Sequence, residues 1–187
     1  MNIERAHAKE LIGKESISSI GDEEALQILA SYWHYNCELV VAEDIKSGVL
    51  PRISDELILL IINTEEPPVK RKNIFVPLFL DWKIFELKYA TNEYLEDRLK
   101  SYGRNFKVKG MIEKAGICPC CRFYSIGPGE DGLWDICSVC FWENGGDGPN
   151  HISIAEAQKN FRSIGAIDKR SLQFVEKDGT IKYAKSA

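Results

Sequence analysis

The 187-residue chain has no hydrophobic run long enough to cross a bilayer. Its longest uncharged apolar runs are Ile74 to Leu80, which contains Pro77, and Leu57 to Ile62. A span needs roughly 18 such residues, so a membrane span is excluded. An apolar leader is not expected either. Glu4, Arg5, Lys9, Glu10, Lys14 and Glu15 are scattered through the first fifteen residues, and a secretory signal needs an uninterrupted apolar core there. The expected compartment is therefore the cytoplasm, where cysteines stay reduced and available to a metal. There is no basic surplus either. The net charge is −4, which does not suit a protein built to coat polyanions. Residues 1–110 carry −3 and residues 111–187 carry −1, so neither half is a basic module. No internal repeat and no low-complexity tract is present.

What remains is an ordinary globular composition, 44% hydrophobic and 28% charged. A chain of this length makes one domain, or one domain with a small appendage, and can bury a core without staples. Five of the six cysteines lie between Cys118 and Cys140. That shift in composition places a domain boundary near residue 110.

Residues 1–110 read mostly as helix. Asp22, Glu23 and Glu24 suit a helix start, where exposed amides carry partial positive charge. Leu26, Leu29, Ala30 and Trp33 then share a helical face. Ser54 is a cap before Asp55 and Glu56. The apolar run after it fits a buried helix or a central strand, and the acidic start favours helix. Pro67-Pro68 ends that segment. Pro77 opens a further helix carrying Phe79, Trp82, Ile84, Phe85 and Tyr89. Thr91 caps another, with Tyr94, Leu95 and Leu99 inward and Gly103 at its end. Phe106 to Lys109 alternates like a short strand. The aromatic stripes read as core packing, and nothing in residues 1–110 names a ligand.

In the second half, Ser153 and Glu156 form a capping-box pattern ahead of Ile154, Ala157 and Phe161, and Gly165 is a natural stop. Asp178-Gly179 suggests a hairpin between Leu172–Glu176 and Thr180–Tyr183.

Cys118 and Cys121 form one C-x-x-C pair and Cys137 and Cys140 a second, with fifteen residues between the pairs. Two such turns can face each other and complete a tetrahedron of sulfurs around zinc at about 2.3 Å per bond. Phe123–Ile126 and Leu133–Ile136 are expected to form a hairpin between the turns, with Gly127-Pro128-Gly129 starting its loop. A closed four-thiolate site has no vacant position, so the expected cofactor is one structural zinc ion. Iron is the alternative metal for the same sulfurs, and six structural thiols without metal are the plain alternative. Cys120 is a spare thiol in the first turn, either a bystander or a reactive group. His151, eleven residues beyond Cys140, suits the entry to the following helix better than ligation. His34 and Cys37 are spaced to meet on a helix as a nucleophilic pair, but no third orienting group is evident.

Metal-binding ribbons often hold nucleic acid. Here Arg122 is the only basic residue between Ile117 and Asn150, against Glu130, Asp131, Asp135, Glu143 and Asp147. Phosphate binding needs cationic side chains, and stacking platforms sit in positive grooves. Phe123, Tyr124, Trp134, Phe141 and Trp142 are better read as a small core under the 153–164 helix.

Four motifs in order, Cys118-Pro-Cys-Cys121, Trp134-Asp-Ile-Cys-Ser-Val-Cys-Phe-Trp-Glu143, Gly148-Pro-Asn150 and Ser153-Ile-Ala-Glu-Ala-Gln-Lys-Asn-Phe161, resemble the bacterial cysteine-rich CPCC domain over about residues 117–166. Arg122 stands where many members have glycine, and Ser138 where many have proline. The resemblance implies metal binding and assigns no activity. A small acidic helical domain joined to such a module is also similar to some immunity proteins of toxin systems, an analogy at the level of architecture.

The expected fold is α+β. Residues 1–110 form a mostly helical domain of unknown role. Residues 111–187 form a zinc-ribbon-like four-cysteine module with a helix at about 153–164. The expected function is non-enzymatic: protein–protein binding to a basic partner, of which a toxin domain is one kind. Candidate contacts are Asp22, Glu23, Glu24, Glu65, Glu66, Glu130 and Asp131. The alternatives are a nucleic-acid-associated regulator and a cysteine-based redox protein.

Overall fold

A computed structural model of the chain describes residues 1–33, 38–47, 53–145 and 150–186. His34, Cys37, Gly148 and Pro149, singled out above, lie outside the described residues. The described elements run β1 (Asn2–Glu4), α1 (Arg5–Ile17), α2 (Asp22–Trp33), α3 (Glu38–Ser47), α4 (Asp55–Asn63), α5 (Val76–Phe85), α6 (Asn92–Ser101), β2 (Lys107–Lys109), β3 (Gly116–Ile117), β4 (Tyr124–Ile126), α7 (Ile154–Ile164) and α8 (Gly179–Lys182). Helix dominates and the strands are short, an α+β fold. None of the described helices is long and apolar enough to cross a membrane.

The backbone falls into two compact units. The helical unit comprises Ala6–Leu87 and Tyr102–Arg104. Its α2 opens on Asp22, Glu23 and Glu24 as expected. The buried face is Ala25, Ile28, Leu29, Tyr32 and Trp33, a rotation from the expected stripe that leaves Ala30 exposed. Ser54 caps α4 by accepting the Leu57 N–H at 3.3 Å, and Leu57 and Ile61 are fully buried. The ambiguous apolar run is thus helix. Pro77 lies in the first turn of α5, where its missing N–H costs nothing. Leu78 and Phe79 from α5 join Leu29, Trp33, Leu57, Ile61 and Phe75 in one core. Phe85, expected inside, is 60% exposed at the helix end.

The cysteine unit comprises Met1–Arg5, Lys88–Ser101 and Asn105–Ala187. Three local sets of contacts join its segments. First, β1 pairs in parallel with β2, aligning Ile3 with Val108, and both side chains are buried. Second, Arg5 is buried and donates to Glu113 (2.8 Å), Asn92 Oδ1 (2.9 Å) and the Lys88 carbonyl (3.0 Å). Third, α6 is tied to the C-terminal tail. Thr91 caps it through the Tyr94 N–H at 3.2 Å, the Thr91 N–H donates to the Lys182 carbonyl, and the Tyr94 hydroxyl donates to Asp178.

Ser153 caps α7 through the Glu156 N–H at 3.3 Å, and Gly165 ends it at φ +81°, which glycine adopts without strain. The expected hairpin at Asp178-Gly179 does not form. Residues 179–182 make the single turn α8, and the chain beyond it pairs with the first cysteine turn, Lys185 opposite Phe123.

Candidate metal centre

The two C-x-x-C turns are built alike. In the first, the Cys118 N–H donates to the Phe123 carbonyl and the Arg122 N–H donates back to the Cys118 carbonyl, at 2.9 and 3.0 Å. In the second, the Cys137 N–H donates to the Trp142 carbonyl and the Phe141 N–H to the Cys137 carbonyl, at 2.8 and 2.7 Å. The residue after each second cysteine is left-handed: Arg122 at φ +69° and Phe141 at φ +67°. Side chains rarely adopt that conformation, because Cβ meets the carbonyl oxygen. The chain accepts it twice, since it turns both sulfurs of each pair to one side.

Each turn sits in its own small hairpin. The first lies between β3 and β4, paired antiparallel with Ile117 opposite Tyr124. The second lies between Ile136 and Glu143. This replaces the expected single hairpin of 123–126 with 133–136: strand pairing within each turn satisfies its backbone locally. Glycines bring the surrounding chain together. A Cβ at Gly116 would sit 2.2 Å from the Gly127 carbonyl oxygen, and one at Gly127 would sit 2.6 Å from that of Asp131.

The result is a cluster of four buried sulfurs, Cys118, Cys121, Cys137 and Cys140, all within 4.8 Å of one another. Cys118 Sγ and Cys140 Sγ are 3.6 Å apart, and Cys121 Sγ and Cys137 Sγ 3.5 Å. Four sulfurs at zinc bonding distance have edges of about 3.8 Å, so the set fits a tetrahedral ion with little adjustment. The cysteines are free rather than disulfide-bonded. Hydrogen bonding led by Cys118 keeps Cys137 well below the ordinary thiol range and pushes Cys121 and Cys140 above it. A dication among them would favour four thiolates at once. Cys120 is also buried but is not one of the four.

Several supporting residues carry no signal in cysteine spacing. The Ser125 hydroxyl lies 3.1 Å from Cys137 Sγ. Gln158 of α7 donates to the Pro119 carbonyl at 3.0 Å. The tail braces both turns through backbone: the Ile167 N–H donates to the Cys140 carbonyl, the Glu176 N–H to that of Ser138, and the Ser186 N–H to that of Arg122. Phe123, Val139, Trp142, Ala157, Ile167 and Tyr183 form the core around the sulfurs. His151 lies 2.9 Å from Asp168 Oδ2. That contact, followed by the Ser171 N–H, holds the Asp168 carboxyl well below its usual range.

The expected partner-binding acids divide between the units. Asp22, Glu23, Glu65 and Glu66 are exposed in the helical unit, and Glu24 there pairs with Lys83 at 2.6 Å. Glu130 and Asp131 are exposed in the cysteine unit, on the turn before Leu133. Trp134, expected in the core, is instead 65% exposed, between Leu133 and Ile136 at 52% each.

Buried sulfurs in paired C-x-x-C turns, with a core closed around them, define a small cysteine-rich module able to bind a metal ion. Residues 116–180 match the family model described as cysteine-rich CPCC, about a third of the chain. No curated protein and no solved structure matches the chain.

Proposed function

We propose that the four cysteines hold one structural zinc ion and that the protein acts by docking to a basic protein partner, as a toxin-neutralising immunity protein does. The zinc reading is supported by burial: four enclosed sulfurs leave no open position for a substrate. Iron fits the same sulfurs. Zinc is favoured because it needs no redox role.

The observation that carries the docking reading is the loop at 130–136. Exposed Leu133, Trp134 and Ile136 lie beside Glu130 and Asp131, and residues 123–145 contain no lysine or arginine. Trp134 is held in place. It is left-handed at φ +69°, its N–H donates to the Asn144 carbonyl, and its ring covers Gly145, where a Cβ would lie 2.4 Å from it. Asn144 Nδ2 in turn donates to the Gly132 carbonyl at 2.8 Å. A fixed, exposed tryptophan rimmed by acids suits an interface hot spot, and acids suit a partner that must be positive to hold phosphate.

The test uses the purified product of the neighbouring gene, with calorimetric titration for affinity and stopped-flow fluorescence for the association rate. Trp134→Ala should weaken binding at least about thirtyfold, the scale of a hot-spot loss. Reversing Asp22, Glu23, Glu65, Glu66, Glu130 and Asp131 to lysine should slow association strongly at low salt and less at high salt. Recovery of nucleic acid as the only bound species, or turnover of a small molecule by the purified protein, would defeat the proposal.

A further inference from the structure

The cysteine unit presents two exposed apolar surfaces of opposite charge, both attached to its second cysteine turn. The first is the loop at 130–136. It leads into Cys137 with Leu133, Trp134 and Ile136 exposed and with Glu130 and Asp131 exposed beside them.

The second is the stretch 169–177, which packs on the same turn. Phe174 stacks on Phe141 at 4.9 Å, and the Glu176 N–H donates to the Ser138 carbonyl at 2.8 Å. Ser171 is buried, and its N–H and hydroxyl both donate to Asp168 Oδ1. With these anchors in place, Leu172 and Phe174 stay 43% and 58% exposed. Lys169, Arg170 and Lys177 are exposed along the same stretch. The neighbouring acids are engaged elsewhere. Asp168 meets His151 at 2.9 Å, Glu176 pairs with the buried Lys182 at 2.7 Å, and Asp178 accepts from the Tyr94 hydroxyl.

Each surface is an apolar centre with a rim of one sign, and the two rims are complementary. Apolar patches rimmed by polar groups mark interaction surfaces. Both are open in the folded chain, so the complement of each comes from another molecule. We propose that the basic face at 169–177 docks the acidic loop at 130–136 of a second copy of this chain. The contact is head-to-tail: different surfaces of the two copies meet, so each pair keeps one surface of each kind free to add a further copy. The inference rests on the same reading of the loop as an interface. Self-association is measured without any other protein, so its failure and the failure of partner docking are separate results.

Sedimentation equilibrium of the full-length protein, as purified, tests it. A few side chains on each surface make a weak contact, so the average mass should rise above one chain between about 10 µM and 1 mM. The rise should shrink at about 0.5 M salt, where screening shortens the reach of the charges. Glu130→Lys with Asp131→Lys, and Lys169→Glu with Lys177→Glu, should each weaken association at least about tenfold while keeping the parental circular dichroism. Combined in one chain, the four changes keep the parental net charge and exchange the two rims, and association should return. Leu172→Ser should weaken it about fivefold, the scale of a partly covered leucine. A chain that stays monomeric to about 1 mM would overturn the proposal. So would association indifferent to the charge reversals, or a four-change variant no better than either pair. Capture of a non-associating chain by anionic lipid vesicles would assign the basic face to a membrane surface and overturn it as well.

Discussion

Arg122 and Phe141 hold the same backbone position in the two cysteine turns, at φ +69° and +67°, so replacing each by glycine isolates what the side chain adds. A left-handed conformation costs a non-glycine residue about 1–2 kcal/mol. The freedom that glycine adds to the unfolded chain takes back about 0.4–1 kcal/mol. Arg122 is exposed and its guanidinium makes a 3.3 Å contact with Ser186 Oγ, a weak surface interaction. Arg122→Gly should therefore be neutral to stabilising, by up to about 1 kcal/mol. Phe141 gains the same backbone relief but loses more. Its ring stacks on Phe174 at 4.9 Å and 24°, about 0.5–1.5 kcal/mol, and burial of its half-covered ring adds about 1–1.5 kcal/mol. Phe141→Gly should be destabilising by about 1–2 kcal/mol. The two variants should then differ by roughly 2 kcal/mol. Urea unfolding of the zinc-loaded protein, followed by tryptophan fluorescence, reads the difference. Equal losses in the two variants, or a clear loss in Arg122→Gly, would refute the account of the turns.

Gly127→Ala should prevent the cysteine unit from closing, at a cost above about 3 kcal/mol, because the new Cβ meets backbone atoms of Asp131 and Gly132 within 2.8 Å; a parental unfolding midpoint would contradict this. Ser125→Ala should leave the fold intact and weaken zinc about tenfold in competition with a chromophoric chelator, since its hydroxyl supports Cys137 Sγ; unchanged affinity would remove Ser125 from the site. Cys120→Ser should leave metal content at the parental level, and a fall by half or more would show the ligand set to be misassigned.

The cysteine cluster was legible because a site able to hold a metal restricts spacing so tightly that four positions can be read directly. Helix starts at Ser54, Thr91 and Ser153 were legible for a similar reason: a cap is a local bond between a side chain and an amide three residues away. The hairpin between the turns was not, because Phe123–Ile126 and Leu133–Ile136 are both apolar enough to pair. Only the three-dimensional closure of each turn on itself decides between partners. The tail was the least legible part. Its role rests on N–H groups of Ile167, Glu176 and Ser186 reaching carbonyls of the two turns, and backbone groups leave no mark on residue type. Trp134 was misplaced because a large aromatic beside cysteines reads as core. Its exposure follows from the left-handed turn that aims it outward.

The most direct test of the central claim is the metal content of the full-length protein, purified without chelator, measured by mass spectrometry beside Cys137→Ser. The account predicts one zinc per parental chain and loss of both zinc and the folded cysteine unit in the variant, since metal binding at such sites supplies on the order of 10 kcal/mol of folding free energy. A parental protein with essentially no bound metal, or one carrying iron with visible absorption, would contradict it.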